Sequence, residues 1–138
     1  MSLGRAGAPA KGRMKTKALP QEPVLAPDGS KIRELVVGAR ASMVHCTLAP
    51  GAVSRAVAHR TVEELWFVLK GKGEVWRKLG TREETIEARP GTSLDVPLSA
   101  HFQFRNTGDG ALEILIVTMP PWPGAEEAYR VPDHWPSG

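Results

Sequence analysis

Residues 51–73 read GAVSRAVAHRTVEELWFVLKGKG, and this stretch decides the fold. It opens on the second residue of a Pro50-Gly51 turn and carries His59 and Glu64. It then runs through the apolar segment Leu65 to Leu69 and closes on the turn Gly71-Lys72-Gly73. The segment is too short for a helix and alternates along its length. On a strand, Glu64, Trp66 and Val68 share one face, while Glu63, Leu65, Phe67 and Leu69 share the other. Both faces are largely apolar, so both are expected to be covered. One lines an interior; the other calls for a partner surface, and homodimerisation through this sheet is the expectation.

Outward from this stretch the texture is uniform. Pro27-Asp28-Gly29-Ser30 is a turn between Val24-Leu25 and Ile32 to Val36, which reads as a hairpin. Further strand candidates are Ser42 to Leu48, Arg55 to His59, Glu74 to Lys78, Glu83 to Ala88, Thr92 to Val96, His101 to Arg105 and Leu112 to Thr118. Turns rich in Gly and Pro separate them. Between Ile32 and Met119 no long window holds a 3.6-residue apolar period. Many short strands at regular spacing make this an all-β sandwich or barrel. After Pro120 the pattern breaks. Ala125 to Tyr129 is read as a helical turn, and Trp122 and Trp135 as anchors packing a C-terminal extension on the body.

The chain has 138 residues, the size of one domain. The expected division is a flexible basic tail over 1–20, a barrel over 21–120 and the extension over 121–138. The net charge of +3 conceals an asymmetry: residues 1–18 hold Arg5, Lys11, Arg13, Lys15 and Lys17 and no acid, so the rest is net acidic. The tail is read as a disordered terminus in preference to a nucleic-acid arm. No stretch has the length or apolarity of a membrane span or a signal peptide. The single Cys46 excludes an internal disulfide, and a cytoplasmic location is expected.

The spacing around this stretch resembles the cupin family. The first cupin motif runs Gly, five residues, His, one, His, three or four, Glu, six, Gly; here it is Gly51, Val57, His59, Glu64 and Gly71. The second runs Gly, five, Pro, one, Gly, two, His, three, Asn; here it is Gly91, Pro97, Ser99, Phe102 and Asn106. The resemblance implies a small jelly-roll β-barrel, with a cavity lined by Val57, His59, Glu64, Trp66, Phe102 and Phe104. It also implies a metal held by two histidines and the glutamate of the first motif and the histidine of the second. Two of those four positions are Val57 and Phe102. A divalent metal such as Fe, Mn, Ni or Zn asks for about three protein ligands. His59 and Glu64 would therefore need a third, from His45 on the preceding strand or from His101, if a bulge turns it inward; His134 would serve only with the tail folded over the mouth. The expected partner of Glu64 is a metal, His59, Arg55 or Arg60.

Two functions remain open on the sequence. One is a metal-free barrel binding a small organic ligand around His59 and Glu64. The other is a metal-dependent enzyme of the oxygenase or isomerase type. No nucleophile elbow or phosphate-binding loop is present.

Overall fold

The computed structural model describes residues 13–137; most of the basic tail, residues 1–12, lies outside them. The described chain is all β, with eleven strands and no helix. The strands are β1 (Val24–Leu25), β2 (Lys31–Val37), β3 (Ser42–Leu48), β4 (Val57–His59), β5 (Glu63–Lys70), β6 (Gly73–Leu79), β7 (Arg82–Ala88), β8 (Ser93–Val96), β9 (His101–Asn106), β10 (Leu112–Met119) and β11 (Ala128–Arg130). They form a six-stranded sheet, β1-β2-β3-β10-β5-β8, and a five-stranded sheet, β11-β4-β9-β6-β7. Every pairing is antiparallel. This is a jelly-roll barrel.

The alternation along β5 is clean. Glu64, Trp66 and Val68 are buried between the sheets, whereas Leu65, Phe67 and Leu69 stand on the outer surface. Strand β3 follows the same rule, sending Val44, Cys46 and Leu48 inward and Met43, His45 and Thr47 outward. Trp66, Phe102 and Phe104 meet edge to face between the sheets, with ring centroids 5.1–5.6 Å apart. Val68, Val75, Leu112 and Ile114 close the core at one end of the barrel.

The turns explain their residues. Gly71 has φ +94°, and a Cβ there would lie 2.5 Å from the Ala111 carbonyl oxygen, so no other residue fits. Ser99, where the second cupin motif carries glycine, has φ +69°. A side chain occupies a left-handed position at this turn.

The segment read as a helical turn, Ala125 to Tyr129, is instead a turn followed by β11. Strand β4 offers an open edge, and β11 pairs with it from Ala128 opposite His59 to Arg130 opposite Val57. Ladder bonds to an existing edge outweigh the weak helical preference of so short a segment. Beyond β11 the chain lies on the outer face of the five-stranded sheet. There the Gln103 amide donates to the carbonyls of Ser54 and Trp135, and its oxygen accepts from the backbone N–H groups of His134 and Trp135, each at 2.8 Å.

Candidate functional site

A cavity of about 780 Å³ opens between the two sheets. The β1–β2 hairpin forms one side and the segment from Trp122 to Ala125 another. Strands β3, β5 and β10 form one wall; Val57 and His59 of β4 and Phe102 of β9 form the opposite one.

Glu64, on β5, lines this wall and is 6% exposed. Trp66, two residues on and therefore on the same face, donates its indole N–H to Oε1 at 2.9 Å. Thr118, directly across the β5–β10 ladder, donates its hydroxyl to Oε2 at 3.0 Å. Burial is the larger influence and pushes the Glu64 carboxyl up to about 7, against the lowering effect of these two bonds. The arginines expected as partners are elsewhere. Arg55 donates to the Pro27 carbonyl at 3.3 Å, and Arg60 donates to the Glu126 carbonyl and lies over the Tyr129 ring. Their backbone positions lie outside the barrel wall that carries Glu64.

His59 is 4% exposed and wedged between Phe102 and Trp122, each ring centroid 5.2 Å away at a steep angle. Its Nδ1 is buried with no hydrogen-bond partner among the described residues. Burial lowers its pKa to about 4, with only partial opposition from Glu127, so the ring is neutral at pH 7. Glu127 caps the Thr61 loop. Its carboxylate accepts from Thr61 N–H at 2.6 Å, Thr61 Oγ1 at 2.7 Å and Val62 N–H at 2.9 Å. Desolvation opposes its ionisation, but these bonds and His59 together hold its carboxyl below the ordinary range.

The hairpin brings a further acid to the cavity. Asp28 accepts from the N–H and hydroxyl of Ser30, at 2.9 and 2.7 Å. Removal from water nevertheless raises its pKa, against the pull of Ser30 and Arg55. Glu34 of β2 also lines the cavity. Cys46 is buried against it, its thiol pushed up chiefly by desolvation, which makes it an inert core cysteine.

Of the residues singled out from the sequence, Val57, His59, Glu64, Trp66 and Phe102 line one cavity. Phe104 does not; it is fully buried behind Trp66. His45 faces outward from β3 and pairs with Glu113 at 3.0 Å, the opposite parity from Val44 and Cys46. His101 alternates with Phe102 in a ladder without a bulge and so points away from the cavity. His134 stacks on Trp76 outside the barrel, centroids 4.9 Å apart. None of these three supplies a third metal ligand. Among the described residues no group of three His, Cys, Asp or Glu side chains could hold a metal ion. Of the histidines and the glutamate considered as metal donors, His59 and Glu64 line the cavity. Asp28, Glu34, Thr118 and Glu127 were not found from the sequence. Strand parity would have offered Thr118 and Glu34, but only with register and topology in hand.

No helix among the described residues is long and apolar enough to cross a membrane. An uncharacterized protein of Methanocaldococcus jannaschii, MJ1618, is 27% identical over 106 residues, covering 73% of this chain and 82% of that protein. Among solved structures, oxalate decarboxylase of Bacillus subtilis matches with a TM-score of 0.68 at 20% identity, over 80% of this chain and 30% of that one. A recombinant oxalate oxidase in complex with glycolate matches with a TM-score of 0.60 at 22% identity, over 72% and 55%. The chain thus spans less than two thirds of either enzyme, and the likeness is one of fold. Residues 44–118, more than half of the chain, match the cupin domain, and the chain belongs to the cupin family.

Proposed function

We propose that this chain is a small-molecule-binding cupin barrel that holds an organic ligand around His59 and Glu64 without a metal. The observation that carries the reading is the cavity of about 780 Å³, apolar over most of its wall with a few inward-facing polar groups. That size and lining suit a small organic guest. Two features support the absence of a metal. Val57 and Phe102, at two positions where the resemblance implies ligands, stand opposite each other in the β4–β9 ladder and leave that wall apolar. His45, His101 and His134 all lie away from the cavity, so no third histidine joins His59 and Glu64.

A second reading is a metal-dependent enzyme of the oxygenase or isomerase type. In its favour stand the unpartnered His59 Nδ1 and the Mn(II) centres of Bacillus subtilis oxalate decarboxylase. One experiment separates the two. The protein is purified without chelators and analysed for metals, and its melting temperature is followed with a panel of organic acids, sugars, amines and aromatics, with and without EDTA. The binding reading expects sub-stoichiometric metal and a shift that survives EDTA. One metal per chain, lost in both His59→Ala and Glu64→Gln, would overturn it.

The exposed outer face of β5 carries our reading of a homodimer. A cytoplasmic setting is our reading of the single, buried Cys46.

A further inference from the structure

The charge pattern of the cavity narrows what it holds; this inference rests on the binding reading above. Three carboxyl side chains line the cavity: Asp28 and Glu34 on the hairpin side, and Glu64 on the wall. No lysine or arginine lines it. Arg55, which bonds the Pro27 carbonyl, partly offsets the charge of Asp28. Glu34 and Glu64 make no ion pair among the described residues.

A second observation is independent of the acids. His59 is buried in the cavity wall, and its Nδ1 has no hydrogen-bond partner among the described residues. A neutral imidazole with a free nitrogen can accept a hydrogen bond. The inward-facing polar groups are thus rich in acceptors. Of the donors that reach the cavity, Trp66 N–H, Thr118 O–H and Ser30 O–H are already spent on Glu64 and Asp28. What remains unmet is a demand for donors and positive charge. The rings of Trp66 and Trp122 also line the space, and aromatic faces attract cations.

We infer that the cavity binds a small organic cation, a protonated amine carried on an apolar or aromatic body. The ammonium lies among Glu64, His59 and the hairpin carboxylates, and the body packs against Trp66, Phe102 and Trp122. An organic anion would enter against three carboxyl groups with no cation to meet it. A neutral guest could offer the acceptors only uncharged donors and would leave the carboxylate charge unmet.

Three near-isosteric probes test this: 2-phenylethylamine, 2-phenylethanol and phenylacetate, titrated calorimetrically into the full chain in EDTA at pH 7.5. The amine is expected to bind at least ~10-fold tighter than the alcohol, because charge-assisted hydrogen bonds exceed neutral ones in strength. Phenylacetate should bind weakest. Glu64→Gln and Glu34→Gln should each weaken the amine several-fold and leave the alcohol nearly unchanged. The second variant sits on the half-buried hairpin and guards against a folding defect in the first. An alcohol or phenylacetate binding as tightly as the amine overturns the inference, as does an amine affinity unchanged in both variants. Failure of all three probes overturns it too, while a shift with other members of the wider panel would leave the binding reading standing.

Discussion

Thr118 stands directly across the β5–β10 ladder from Glu64 and donates its hydroxyl to Glu64 Oε2 at 3.0 Å, while Trp66 holds Oε1 at 2.9 Å. The barrel thus positions a buried carboxyl with two neutral donors and no cation. The consequence falls on its protonation. Burial raises the folded-state pKa to about 7 from an ordinary 4.5. Between those values the folded chain binds the proton more tightly than the unfolded one, so stability falls as pH rises. The contribution is full below about 4.5 and is lost through about 7, a change on the order of 3 kcal/mol. Urea unfolding at pH 5 and pH 8 should show the wild type losing that much more stability than Glu64→Gln. Equal pH slopes for the two proteins would refute it.

His59 has the opposite sign. Its folded pKa is lowered to about 4 from an ordinary 6.5, so the unfolded chain binds the extra proton between those values. The stability it contributes is full above about 6.5 and lost as pH falls through about 4. In NMR, the His59 ring signals should stay constant from pH 8 to pH 5.5. A midpoint near 6.5 would contradict the buried neutral ring.

Ser99 adopts φ +69°, where a side chain costs about 1–2 kcal/mol relative to glycine. Glycine gives back part of that through the freedom it adds to the unfolded chain. Ser99→Gly should therefore raise stability by up to about 1 kcal/mol, read from the urea midpoint at constant slope. A loss of more than 1 kcal/mol would show that the Ser99 side chain does something the backbone angle does not reveal.

Glu127 takes three hydrogen bonds from Thr61 and Val62, tying the loop after His59 to the segment before β11. Glu127→Ala should cost on the order of 3 kcal/mol, because it leaves donors around a buried position unpaired. Glu127→Gln, which keeps an acceptor, should recover a good part of the loss. An alanine variant as stable as wild type would mean water replaces the carboxylate at no cost.

The sequence exposed the barrel and half of the site, for a definite reason. Period-two alternation and Gly/Pro turns are local, so β5, its two faces and the hairpin around Asp28 could be read directly. His59 and Glu64 followed from spacing. The residues that set their chemistry come from distant strands. Thr118 meets Glu64 across 54 positions, and Glu127 meets Val62 across 65. Single-strand parity cannot supply such pairs. It did contain the answer for His45, which alternates with the inward Val44 and Cys46, since a buried strand cysteine at Cys46 already turns His45 outward. The error at Ala125 to Tyr129 has the same origin, because only the topology shows that β4 has an open edge there.

The outer face of β5 leaves Leu65 47%, Phe67 44% and Leu69 43% exposed in one row. Leu115 and Val117 of the neighbouring β10 pair in register with Phe67 and Leu65, extending the apolar surface across two strands. A contiguous patch of this kind on a sheet is stabilised by a second copy, since a two-fold interface sets the same residues against each other. Light scattering behind size exclusion should therefore give twice the chain mass. Phe67→Glu should return it to the monomer mass, because the new carboxylates would face each other or be buried unpaired. The cavity lies on the other side of the sheet, so the variant should keep the ligand-induced melting shift. A wild-type monomer at concentrations of tens of micromolar would defeat the dimer reading. A Phe67→Glu dimer would move the interface to another face.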